Sequence, residues 1–238
     1  MIALRLNPAL DAAALAQQFA VHGRLRVQNI LAPECANLIA ECLEKATPFD
    51  LALLDDNGAP LVLRGQRIDW NDPRIASAVA RAGSGFSFLY RAFPMLTAYQ
   101  QRQHPGHLLH TVFEFLNSTP VVDFLHRVTG HADIVRLDAQ ATLYEPGCFL
   151  TTHNDLLPAH NRRAAYVMGF TRRWLFDWGG LLLFFDDQRH VLDGYMPGFN
   201  TLDLFTVPQL HAVTSVTPFA RAGRYAITGW ARAAADAR

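Results

Sequence analysis

The chain is poor in features that would decide its class at once, and each shortage excludes something. It holds three cysteines in 238 residues, Cys35, Cys42 and Cys148, an odd count with no close CxxC pair. That argues against a disulfide-stapled secreted scaffold and for free thiols in a reducing compartment. Long apolar runs are missing: "GGLLLFF" at 179–185 falls far short of the roughly 20 residues needed to cross a bilayer. The opening "MIALRLNPALDAAALAQQF" lacks a cationic stretch followed by an apolar core and a cleavage site, so no export signal is read. Charge of one sign is not in excess either. Twenty-one basic residues offset 21 acidic ones, which leaves no global attraction to nucleic acid or to a membrane surface. Repeats and low-complexity tracts are absent. The expectation is a soluble, cytoplasmic chain folded as a single domain over 1–238, with half of its residues apolar and able to form a large core.

What is present changes character along the length. The part over 1–130 reads as a mainly helical support region with some strands. "DAAALAQQFAVHG" predicts a helix with Asp11 at its start and Gly23 past its end; a strand "RLRVQNIL" and a helix "APECANLIAECLEKA" follow. "DLALLD" and "PLVLRG" around "DNGA" predict a hairpin. Further helices are expected at "DPRIASAVARAG", "GHLLHTVFEFLN" and "PVVDFLHRVTG". Aromatic "SGFSFLYRAFPM" is read either as a lid over a site or as packing between helices and strands. From about Asp133 the period becomes that of strands: "DIVRLDAQATLY", "CFLTTHND", "RRAAYVMGFT", "GGLLLFFDD", "FNTLDLFTV", "HAVTSV" and "RYAITGWAR". The fold class is α+β, mainly β: a sandwich or barrel over 131–235, with helices packed on one side.

Within "FLTTHNDLLP" stand His153 and Asp155, two apart. On an extended chain they project to one face, which makes half of a metal site. Downstream histidines are His160, His190 and His211. The first two lie in polar stretches that read as solvated loops, whereas His211 follows the apolar strand "LDLFTVPQL". Two histidines and one carboxylate with open positions suit non-haem Fe(II), and zinc is the chemical competitor. An oxygenase using 2-oxoglutarate also needs a buried cation for that cosubstrate's far carboxylate, a task that suits arginine. On "GRYAITGW", Arg224 shares a face with Ala226, Thr228 and Trp230, and two small neighbours leave room for a slim dicarboxylate. Arg221, in the looser "PFARAG", ranks below it.

"LYEPGCFLTTHND", "RRAAYV", "WGGLLLFFD", "FNTLDLFTVPQLHAVTSVTP" and "RYAITGWAR" stand in an order that resembles the Fe(II)/2-oxoglutarate-dependent dioxygenases of the prolyl 4-hydroxylase-like type. The group most similar is that of the ribosomal-protein prolyl hydroxylases. The resemblance implies a double-stranded β-helix, or jelly-roll, with His153, Asp155 and His211 on iron. It also implies Arg224 on the far carboxylate of 2-oxoglutarate, Tyr144 lining that pocket, and Gly179–Gly180 as a structural turn. Dioxygen would be consumed, and ascorbate would serve as reductant in vitro. One departure stands out. Relatives often place a tyrosine near Gly169 to help hold the carboxylate, and here Tyr144 or Thr201 would have to replace it.

The chemistry implied is hydroxylation of a C–H bond coupled to decarboxylation of 2-oxoglutarate to succinate. The expected substrate is a prolyl residue in a ribosomal or translation protein. The alternatives are a free amino acid or small metabolite and, in a different class, a β-helix binding protein without catalysis. Arg162–Arg163 and Arg172–Arg173 flank the HxD segment either as a groove for an acidic partner or as a solvated edge.

Overall fold

The computed structural model describes residues 3–234. Its elements in chain order are α1 (Ala12–His22), β1 (Arg24–Gln28), α2 (Pro33–Lys45), β2 (Asp50–Leu54), β3 (Pro60–Leu63), α3 (Pro73–Ala82), β4 (Phe88–Phe93), α4 (Met95–Gln100), α5 (Leu108–Leu116) and α6 (Thr119–Thr129). After these come β5 (Ile134–Leu137), β6 (Gln140–Tyr144), β7 (Phe149–His153), β8 (Arg162–Phe170), β9 (Leu182–Phe185), β10 (Val191–Tyr195), β11 (Phe199–Thr206), β12 (His211–Val213) and β13 (Arg224–Ala233). Short 3-10 turns lie at Pro158–His160 and Phe176–Trp178. No helix among the described residues is long and apolar enough to cross a membrane.

Helix ends follow from side-chain chemistry. Asp11 accepts from the Ala13 and Ala14 amides, both at 3.0 Å, which satisfies donors that a first turn leaves open. At the other end Gly23 takes φ 62, the left-handed value that stops a helix at little cost to glycine. The α2 cysteines are buried and free, as small core residues should be.

The strands form a nearly closed antiparallel sheet in the order β1-β11-β8-β13-β6-β4-β7-β12-β9-β10, with β2 and β3 attached through β4 and β5 through β13. Alternation sorts the side chains. Ala164, Tyr166, Met168 and Phe170 of β8 face the helices, while Ala165 and Val167 face the inside of the barrel. Burial on the helix side stabilises by about 1.5–3 kcal/mol for each large apolar side chain withdrawn from water. Strand β4 turns a corner in the sheet: Phe88 and Leu89 pair with β7, and Arg91 to Phe93 pair with β6. The two end strands of the path, β1 and β10, are joined by a side-chain pair, Arg24 to Asp193 at 3.2 Å.

The architecture is the expected mainly-β barrel with helices on one side, and three local readings change. "SGFSFLYRAFPM" does pack into the core between helices and strands, but it does so as a strand of the barrel, β4, which was not expected there. "DIVRLDAQATLY" is two strands, because the Asp138 amide and carbonyl are taken by Trp230 and Tyr166 and the ladder breaks there. The polar stretch after Asp186 continues into β10, which pairs with β9.

Candidate active site

Strands β7 and β12 lie side by side with His153 opposite His211, so two imidazoles meet across one rung, ring centroids 4.1 Å apart. Each ring is oriented through its Nδ1. That of His153 donates to the Thr151 carbonyl at 3.0 Å and that of His211 to the Gln209 carbonyl at 2.8 Å. Both Nε2 atoms are thereby left unprotonated in the neutral rings and free to bind a metal. They point to Asp155, at 3.5 Å from Oδ1 for His153 and 3.4 Å from Oδ2 for His211. One ligand atom from each of the three residues lies within 4.8 Å of the others.

Asp155 does not arrive there by strand alternation. The strand ends at His153, and Asp155 sits at φ 61, a left-handed value that aspartate tolerates better than most residues. Asn154 accepts from the Leu156 amide and shapes the turn. Arg162 donates to the Asp155 carbonyl at 2.9 Å. Burial works to raise the Asp155 carboxyl, but its polar neighbours His153, His211 and Trp230 outweigh it, and the group is held below its ordinary value. For His211, burial and then the neighbouring His153 push the pKa down to about 4, so the ring is neutral and able to bind metal at neutral pH. Three ligands of this kind, two neutral and one anionic, with one side open to a cavity, fit a divalent ion.

The cavity above them has a volume of about 500 Å³, within the range of small-molecule sites. Phe86 packs on the His153 ring at 5.4 Å between centroids while staying 46 % exposed at the mouth, beside Leu156 and Leu157. Further in, Tyr144 stacks on Tyr90 at 5.1 Å, and the Arg224 guanidinium lies over the Tyr144 ring at 4.9 Å. Burial holds the Tyr144 hydroxyl well above its ordinary pKa, hence protonated. Arg224 is 4 % exposed, and among the described residues it forms neither a hydrogen bond nor an ion pair; its Nε is buried without a partner. A guanidinium withdrawn from water and left unpaired is costly unless an anion completes it. The residues present therefore fit both a divalent metal and a carboxylate some distance from it.

Over residues 139–232 the sequence matches the model of the 2OG-Fe(II) oxygenase superfamily. The matched segment, well over a third of the chain, is similar to that superfamily. Among curated proteins none matches the chain. Solved structures similar in fold include a prolyl-4-hydroxylase from Pseudomonas putida, at 15 % identity and TM-score 0.57 over 94 % of this chain and 100 % of that one. A Burkholderia pseudomallei oxidoreductase of the 2OG-Fe(II) oxygenase family aligns at 14 % and TM-score 0.60 over 97 % of each chain. A Trichoplax adhaerens prolyl hydroxylase, solved with a hypoxia inducible factor peptide fragment, aligns at 17 % and TM-score 0.57 over 92 % and 87 %. At such identities the likeness is one of fold; the superfamily whose model matches is one of Fe(II) and 2-oxoglutarate, and the His-Asp-His group here could hold such a metal.

Residues expected in the oxygenase site fall as follows. His153, Asp155, His211, Arg224 and Tyr144 line one cavity. Thr201 does not: its buried, unpartnered hydroxyl faces a small void shared with Gly169 and Arg224. Arg221 is exposed, His190 pairs with Asp186 at the surface, and the His160 carbonyl accepts from Arg232. Gly169 cannot carry a tyrosine, since a Cβ there would come within 2.5 Å of the Thr201 hydroxyl and 2.6 Å of the Gly198 carbonyl. Gly179 is structural, as a Cβ would meet the Ser215 carbonyl at 2.1 Å.

Sequence reasoning missed Arg162 as a cavity residue. It stacks on Trp230 at 3.6 Å and faces inward, while Arg163 pairs outward with Asp133 at 2.6 Å. The register of β8 with β13 shifts there, so that Arg162 falls opposite Arg232. A bulge of this kind leaves no periodic trace that could have announced it.

Proposed function

We propose that His153, Asp155 and His211 hold the Fe(II), that Arg224 and Tyr144 receive the far carboxylate of 2-oxoglutarate, and that the enzyme hydroxylates a prolyl residue of a ribosomal or translation protein. Thr201 would act from beneath Arg224. The observation that carries the reading is the convergence, in one cavity, of a two-histidine, one-carboxylate face and a buried arginine without a partner. Charge balance supports it. A divalent ion and Asp155 sum to +1, Arg224 adds +1, and a dianionic cosubstrate brings the pair of subsites to neutrality, as a buried cavity requires.

When bound, iron, 2-oxoglutarate and dioxygen supply an oxidant able to hydroxylate an unactivated C–H bond, the keto acid leaving as succinate and carbon dioxide. The chain's own residues do the rest. The backbone carbonyls of Thr151 and Gln209 fix the imidazoles, Tyr144 keeps its proton and can donate it to a carboxylate oxygen, and Phe86 screens the metal face from water. The prolyl hydroxylases among the similar structures support a proline substrate, and the apolar mouth at Phe86, Leu156 and Leu157 suits a polypeptide. A small metabolite is the second reading, favoured by a cavity no larger than small-molecule sites are. Residues 1–130 would add helices and strands to a core at 131–235 within one domain, and three buried free thiols agree with a cytoplasmic setting.

The test is succinate release from 2-oxoglutarate with Fe(II) and ascorbate, followed by mass spectrometry of ribosomal and translation-factor peptides for a gain of one oxygen. His153→Ala should abolish metal binding and turnover together. Lack of both succinate formation and metal binding in the wild type would reject the assignment, and activity sustained by zinc without oxygen would turn it to hydrolysis.

A further inference from the structure

Arg224 has a buried acidic neighbour that it does not pair with. Asp203 of β11 is 2 % exposed and, with Arg224 and Thr201, encloses a void of about 10 Å³ on the inner face of the sheet. The two side chains feel each other's charge. Ordinarily a carboxylate and a guanidinium buried this close would join, because each alone is a desolvated charge. Here each carboxylate oxygen already accepts a bond, and another guanidinium matches the charge. Arg26 of β1 donates from Nε to Oδ1 at 2.5 Å and from Nη2 to Oδ2 at 2.7 Å, a two-pronged grip. The backbone register sets Arg26 opposite Asp203, and the Tyr195 ring supports its guanidinium at 4.8 Å.

We infer that Arg26 is a positioning residue for the cosubstrate: by holding both oxygens of Asp203 it leaves the Arg224 guanidinium free for the far carboxylate of 2-oxoglutarate. The inference rests on the reading of Arg224 given above and adds a residue outside the matched segment 139–232. Charge makes the point. Arg26, Asp203 and Arg224 sum to +1, which one incoming carboxylate neutralises. Without Arg26 the sum is zero, Asp203 turns to Arg224, and the cosubstrate meets an arginine already neutralised.

Calorimetric titration of 2-oxoglutarate into the full chain loaded with Mn(II) reads this without turnover. Arg26→Met should raise the Kd at least ~10-fold. Asp203→Asn alone should not weaken binding, and Arg26→Met combined with Asp203→Asn should return the Kd to within about 3-fold of wild type. A purely structural role for Arg26 would give no such rescue. An unchanged Kd in Arg26→Met overturns the inference, and so does a double variant as weak as the single one. Should Arg26→Met not fold, Arg26→Lys replaces the two-pronged grip by a single contact and must still raise the Kd; a wild-type value there overturns the idea equally. Failure of the wild type itself to bind 2-oxoglutarate would instead remove the Arg224 assignment on which the inference stands.

Discussion

Arg224 concentrates the residue-scale argument. Its guanidinium is buried over Tyr144, its Nε has no partner, and Gly180 leaves space for its stem, since a Cβ there would approach the Arg224 Cδ to 3.3 Å. If Arg224 receives the cosubstrate as proposed, replacing it by alanine would remove a charge-assisted contact whose truncation in a buried setting costs about 2–5 kcal/mol. Arg224→Ala should therefore raise the KM for 2-oxoglutarate by well over tenfold, while metal affinity, read by calorimetry, stays near wild type. Should Arg221→Ala produce that change instead, the face assignment of β13 is wrong. This much was legible from the sequence, because Arg224 lies on a regular strand whose alternation can be counted. Asp155 was legible only as a residue type. Its carboxylate reaches the histidines through a left-handed turn, and strand alternation gave the right neighbour for an incomplete reason. Arg162 and Asp203 were not legible, since a bulge turns one inward and a cross-strand partner far away in sequence defines the other.

At the scale of elements, a histidine clips two helices together. His107 is the N-cap of α5: its Nδ1 accepts from the Leu109 amide at 3.2 Å, and its Nε2 donates at 3.2 Å to the carbonyl of Ala46, which caps the end of α2. The Nε2 donation survives protonation, but the Nδ1 contact needs the neutral ring, because protonation would turn that acceptor into a donor facing another donor at a helix start, where positive charge is unfavourable. Burial, with smaller contributions from His104 and His110, lowers its pKa from the ordinary 6.5. A depressed folded-state pKa means that stability is full above the unfolded value and is lost as pH falls through the folded one. The melting temperature should accordingly decline as pH drops below about 6.5. In His107→Asn, which keeps a capping acceptor and loses the titration, that decline should be shallower; equal slopes in the two proteins would assign the effect to other groups.

For the molecule as a whole, sequence periodicity gave the two halves their character but understated how far they interpenetrate. The helices α1, α2, α3, α5 and α6 stand where caps and apolar spacing put them. The part that escaped is that the N-terminal 130 residues also supply strands to the barrel, among them β1 along β11 and β4 between β6 and β7. Aromatic "FLYRAF" has no polar alternation because it is buried on both sides, so its period cannot be seen. A fragment spanning 131–238 would leave the edge of β11 open and the corner in the sheet unpaired. Expressed alone it should show no cooperative melting by circular dichroism and should aggregate, whereas the full chain melts cooperatively. A folded, metal-binding fragment would contradict this.

The corner strand has one more effect. Since β4 is bonded at one end to the strand that carries His153 and at the other to the strand that carries Tyr144, a single run of backbone joins the metal face to the carboxylate end. On the proposed roles of the two ends, their separation is a fixed gauge rather than an adjustable gap, and the cosubstrate would be selected by chain length. A keto diacid one methylene longer, 2-oxoadipate, should be penalised by about 1–3 kcal/mol against 2-oxoglutarate, a ratio that competition calorimetry would measure directly.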